Sequence, residues 1–132
     1  CNPEEIKFIK EKYNKKIISA ITVEKKEDVS KYKNFVSISD IILFDSKGYE
    51  KSLSYDHNLL NEVPNNINKM IAGNIQFDDD IEKFRNICKY IDISGGLETS
   101  GVKDISKIDI FLNKIKQLNN ETKKRYPINR ST

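Results

Sequence analysis

Residues 35–45 read FVSISDIILFD, the most apolar stretch of the chain. Its β-branched content and length predict a central strand, because branched side chains pack well on a pleated surface. Asp45-Ser46-Lys47-Gly48 follows as a turn with glycine at its end. Tyr49, Lys51, Leu53 and Tyr55 then alternate with Glu50, Ser52, Ser54 and Asp56. A period of two after a tight turn predicts a return strand over 49–56, and so an antiparallel hairpin. Upstream, residues 15–26 alternate Ile17, Ser19, Ile21 and Val23 with Ile18, Ala20 and Thr22, which predicts a third strand.

The remaining apolar residues fall at helical spacing. Asn2-Pro3-Glu4-Glu5 has the chemistry of a helix start, with a side-chain cap, proline at the first position and acids at the positive end of the dipole. Ile6, Ile9 and Tyr13 continue it as a helix over 3–15. Ile67, Met70 and Ile71 before Gly73 predict a short helix over 65–72. Asp78-Asp79-Asp80, then Ile81, Phe84, Ile87, Cys88 and Ile91, then Gly95-Gly96, predict a helix over 79–93. Ile105, Ile108, Phe111, Leu112, Ile115 and Leu118 predict a last helix over 104–120. The expected fold is α+β: about three antiparallel strands packed against helices, in one domain over 1–120. A basic tail over 121–132, broken by Pro127, is expected to fray.

Charge is segregated along the chain. Residues 34–102 carry 11 acidic and 6 basic side chains, while residues 103–132 carry 3 acidic and 8 basic. The net charge of +3 is too small to imply nucleic-acid binding. No apolar run approaches the length that spans a bilayer.

Candidate chemistry is sparse. His57 is the only histidine, and two cysteines far apart do not complete a four-ligand zinc site. Asp56 and His57 with Ser52 or Ser54 suggest a triad, but neighbours along a strand point to opposite faces. Cys88 sits on the apolar face of its expected helix, where a thiol stays protonated. Gly96-Leu97-Glu98-Thr99-Ser100-Gly101-Val102-Lys103 approaches a phosphate-binding loop. Val102 and Asp104 break its pattern, and Glu98 opposes an anion. The Asp78–Asp80 run lacks the alternation of a calcium loop. No cofactor or metal is expected from these residues.

The sequence starts at Cys1. In that one residue it resembles mature bacterial lipoproteins, whose N-terminal cysteine carries acyl chains. The resemblance implies lipid attachment at Cys1, an envelope location and a non-enzymatic role in binding another protein, of the immunity, exclusion or secretion-accessory type. A trimmed chain, or a disulfide from Cys1 to Cys88, are the other readings of the same residue. An acidic face of Asp40, Asp45, Glu50, Asp56 and Glu62 is the expected partner surface, suited to a basic protein. Two alternatives stand beside it. One is a small hydrolase or nucleotide-binding enzyme using the His57 region or the 95–103 loop. The other is a cytosolic interaction domain cut from a longer chain.

Overall fold

The computed structural model describes residues 2–46 and 56–125, with side chains to residue 120. Helix α1 spans Pro3–Tyr13. The Asn2 side chain accepts from the Glu5 backbone N–H at 2.9 Å, and the Glu5 carboxylate accepts from the Asn2 N–H at 3.2 Å. That reciprocal box satisfies two of the N–H groups a helix start leaves open. Asn14 ends the helix in the left-handed conformation, its N–H bonded to the Lys10 carbonyl.

Four strands follow: β1 (Ile18–Val23), β2 (Ile41–Ser46), β3 (Lys69–Ile71) and β4 (Tyr90–Ile91). They form one sheet in the order β1-β2-β3-β4, and every neighbouring pair is parallel. Parallel neighbours need a crossover of a dozen or more residues. The first crossover holds the short helix α2 (Lys26–Val29) and a 3-10 turn at Ser30–Asn34. Further 3-10 turns stand at His57–Glu62 and Ile81–Phe84. After β4 come a small hairpin, β5 (Glu98–Thr99) with β6 (Val102–Lys103), and the long helix α3 (Ile105–Arg125).

This corrects the expected antiparallel α+β sheet. The strand order never reverses, so the sheet has no switch point of the doubly wound kind. Sequential, all-parallel winding is that of a (β/α) barrel. One face carries Ile21, Val23, Ile42, Phe44 and Ile71, buried against Val29, Leu60, Val63, Ile81, Phe84, Ile87 and Phe111. Lys69 shares this face; its buried ammonium donates to the Val63 carbonyl at 3.0 Å, and burial lowers its pKa. The opposite face carries Ile18, Ala20, Leu43, Met70 and Tyr90, brought level by the register. Ile18 is 55% exposed and Tyr90 40%. In a barrel this face turns inward, toward the strands that complete the ring.

Individual segments differ from expectation for local reasons. Residues 65–72 hold β3 and not a helix, and residues 79–93 hold one 3-10 turn and then β4. Both runs place apolar groups on two faces of a short strand, a pattern that mimics helical spacing. In 35–45 the strand begins only at Ile41, because Phe35 closes the preceding 3-10 turn. The expected return strand at 49–56 lies outside the described residues except for Asp56, which caps the turn at His57–Glu62. Helix α3 covers the expected 104–120 segment and continues to Arg125.

Candidate active site

The carboxyl ends of β2, β3 and β4 open onto a cavity of about 410 Å³. Asp45 and Ser46 line it from β2, residues 72–76 from the segment after β3, and residues 92–96 with Glu98 from the segment after β4. Barrel enzymes place their chemistry on this face, because the segments leaving each strand converge there.

The local sequence explains why the walls come so close. Gly73 has φ +96°, and a Cβ there would overlap the Ser46 hydroxyl and stand 2.8 Å from Asp45 Oδ1. Asn74 follows at φ +53°. Gly96 packs directly on the Ile75 carbonyl, leaving no room for a side chain. A parallel bridge between Gln76 and Gly96 ties the two segments together. The resulting walls are backbone, which lets N–H groups approach a ligand closely.

Asp45 is a half-buried acid of this mouth. Burial pushes its carboxyl above the usual range; the Ser46 N–H opposes that, and the charge of Asp92 adds to it. A carboxyl that holds its proton more tightly than usual is suited to donating it in a reaction. Glu98 is neutralised by Lys103 at 2.9 Å, and the same ammonium donates to the Ser94 carbonyl at 3.1 Å. Asp104 accepts from Thr99 Oγ1 at 2.7 Å and from the Ser106 N–H at 2.9 Å, anchoring the hairpin to the start of α3. Its carboxyl is lowered first by the Thr99 hydroxyl, then by backbone N–H groups of α3.

Of the acidic residues singled out in the sequence, Asp40 and Asp45 stand at opposite ends of β2. Asp40 lies before β2, accepting from the Ile17 N–H at 2.7 Å and from Lys10 at 3.5 Å, whereas Asp45 is at the other end of that strand. Asp56 accepts from the Asn58 N–H at 3.0 Å, and Glu62 pairs with Lys26 at 3.0 Å. Glu50, Ser52, Ser54 and Cys1 lie outside the described residues. His57 packs edge-on against Phe84, with ring centroids 5.0 Å apart; burial and then Lys83 lower its pKa. Cys88 is a half-buried free thiol, pushed up to about 11 by burial. Asp80 and Asp79 are spent on backbone N–H groups of Glu82 and Gln76. Sequence reasoning named the 95–103 loop and Asp45, but for other tasks, and it missed Gly73 and Asp92. The signal available was a strand ending in Asp-Ser, then strands ending in Ala-Gly-Asn and Ser-Gly-Gly.

Comparison with known proteins accounts for the arrangement. Residues 3–114 match the family model "N-(5'phosphoribosyl)anthranilate (PRA) isomerase". An N-(5'-phosphoribosyl)anthranilate isomerase of Rhizobium johnstonii is 29% identical over 127 residues, covering 89% of this chain and 57% of the relative. One of Brucella canis is 30% identical over 126 residues, with the same shares. The chain therefore spans little more than half the length of these relatives. Among solved structures, monomers of the dimeric phosphoribosylanthranilate isomerase of Thermotoga maritima superpose with a TM-score of 0.69 at 19% identity, covering 87% of this chain and 57% of that one. An isomerase in complex with reduced 1-(o-carboxyphenylamino)-1-deoxyribulose 5-phosphate gives 0.64 at 17% identity, covering 89% and 68%.

These matches overturn the resemblance to lipoproteins, which rested on Cys1 alone. With it fall the non-enzymatic role, the protein partner, the membrane anchor and the envelope location. Among the described residues no helix is long and apolar enough to cross a membrane. On a family model that spans most of its length and on the parallel sheet its relatives share, the chain belongs to the N-(5'-phosphoribosyl)anthranilate isomerase family.

Proposed function

We propose that this chain supplies four strands and part of the active site of an isomerase acting on N-(5'-phosphoribosyl)anthranilate. The observation that carries the reading is Asp45, a half-buried acid at the carboxyl end of β2, facing a cavity walled by close-packed backbone. The substrate named by the relatives is an aldose joined to an amine. The ligand named in one solved relative is the reduced form of the corresponding 1-amino-1-deoxyketose phosphate. Converting one into the other puts a proton on the ring oxygen as the C1–O bond breaks and the C1–N bond becomes an iminium; a base then takes the C2 proton, and the enolamine so formed gains a proton at C1 and loses one from O2 to become the ketone. Asp45 delivers the first proton, which forms the new O–H bond and leaves Asp45 as a carboxylate.

The phosphate is held by the segments after β3 and β4, around Gly73-Asn74 and Ser94-Gly95-Gly96. Barrel enzymes form phosphate sites at the ends of adjacent strands in this way, and backbone N–H groups are the donors. Lys103 offsets the charge of Glu98 on this wall. The cytoplasmic location considered for this chain accompanies this reading.

The test is amide chemical-shift mapping of the protein carrying this chain, with reduced 1-(o-carboxyphenylamino)-1-deoxyribulose 5-phosphate as probe. Saturable shifts at Gly73, Asn74 and residues 94–96 are expected, with inorganic phosphate reproducing them at both segments. A titration that leaves these amides unmoved overturns the assignment.

A further inference from the structure

Asp45 has a neighbour to which the isomerase reading gives no task. The ladder pairs Phe44 with Ile71, and Ile71 with Ile91. One step further along, Asp45, Ala72 and Asp92 form a row across β2, β3 and β4. The Ala72 N–H donates to the Phe44 carbonyl at 3.0 Å and the Asp92 N–H to the Ile71 carbonyl at 2.8 Å, which fixes that row at the last rungs of the sheet. Residues level with one another in a parallel sheet share a face. Two strand spacings put the Asp45 and Asp92 backbones about 10 Å apart. Between them in the sheet register stands Ala72, a small residue that is buried. Both carboxyl groups line the same cavity.

We propose that Asp92 is a positioning residue for Asp45, its carboxylate facing Asp45 across Ala72 and keeping there the proton that the isomerisation consumes. Like charges close together resist double ionisation, so one of the two holds its proton to higher pH. The less exposed member keeps it, because burial already disfavours its charge; Asp45 is half-buried and Asp92 is exposed. The field of Asp92 at Asp45 acts in this direction. Among the described residues, the other elements bordering Asp45 contribute little opposing charge. On β1 its register partner is Thr22, on β3 it is Ala72, and Glu98 of β5 is paired with Lys103. A bulkier residue at 72 would separate the pair, so the alanine belongs to the device.

This inference rests on the isomerase reading for its purpose but not for its physics, and the experiment separates the two. The Asp45 carboxyl carbon is followed by NMR against pH in the protein carrying this chain, unchanged and with Asp92→Asn. The expected result is that the Asp45 midpoint drops by about half a pH unit or more in Asp92→Asn. The limb of kcat/KM assigned to Asp45 should move by the same amount. Asp92→Glu, which restores the charge, should recover much of the midpoint. A midpoint that stays in place in a folded Asp92→Asn protein overturns the coupling, whatever the activity. A midpoint that drops in a protein with no isomerase activity keeps the coupling and overturns the reading it serves.

Discussion

Gly73 and Asp45 are packed so that a single methyl group separates a working mouth from a blocked one. A Cβ on residue 73 would stand 2.8 Å from Asp45 Oδ1 and overlap the Ser46 hydroxyl, and the backbone there is left-handed at φ +96°. Gly73→Ala therefore strains the chain and moves the acid. A loss of at least about 1 kcal/mol in unfolding free energy is expected from the backbone alone. Because Asp45 is displaced, kcat should fall more than KM rises, in a comparison of denaturant midpoints with steady-state kinetics.

Gly95 and Gly96 are adjacent in sequence and differ in environment. A Cβ on Gly96 would collide with the Ile75 carbonyl, whereas one on Gly95 meets nothing within 4 Å. Gly96→Ala is expected to cost about 1–3 kcal/mol as overpacking and to loosen the contact between the segments after β3 and β4. Gly95→Ala should leave stability close to unchanged. Equal losses in the two variants, measured by urea denaturation, would contradict the packing described.

Much of the chain's patterning was legible before its fold. The cap at Asn2, the last helix as far as residue 120 and the strand character around Ile21 and Ile42 follow from local chemistry. What stayed hidden was strand direction. Parallel and antiparallel strands share a period of two, and among the described residues the segments between the strands hold short turns where long helices would have announced a barrel. Lys69 concealed β3 further, since a buried lysine on the helix-facing side breaks the apolar alternation. Asp45 read as a turn residue because its meaning depends on Gly73 and Ala72, which reach it only through the sheet register.

Acid stability should report on Asp28. Its carboxylate accepts from the Glu24 N–H at 2.9 Å and the Lys25 N–H at 3.1 Å, and pairs with Lys31 at 3.0 Å. These contacts, the Glu24 N–H foremost, lower its pKa from 3.8 to about 2. The folded chain thus binds this proton less readily than the unfolded chain. Its stabilising effect is complete above the unfolded value and is lost as pH falls through about 2. Asp28→Asn should lower Tm near neutral pH, and the gap to the parent should close in strong acid. A gap independent of pH in thermal unfolding would contradict this.

Phe44 anchors the helix-facing layer with no exposed surface. Phe44→Ala should cost about 3–5 kcal/mol, the usual range for emptying a fully packed aromatic site. Phe8, on the surface of α1 at 60% exposure, is the matched comparison, and Phe8→Ala should cost far less. Chemical denaturation of both variants measures the contrast.

The central claim is that Asp45 donates the proton in an isomerisation of N-(5'-phosphoribosyl)anthranilate. Its most direct test is the rate of that conversion by the protein carrying this chain, compared between the unchanged protein and Asp45→Asn. Asn keeps the shape and removes the acid, so kcat/KM should drop by about 100-fold or more while the unfolding midpoint changes little. A folded Asp45→Asn protein that converts the substrate at the parent rate would contradict the account.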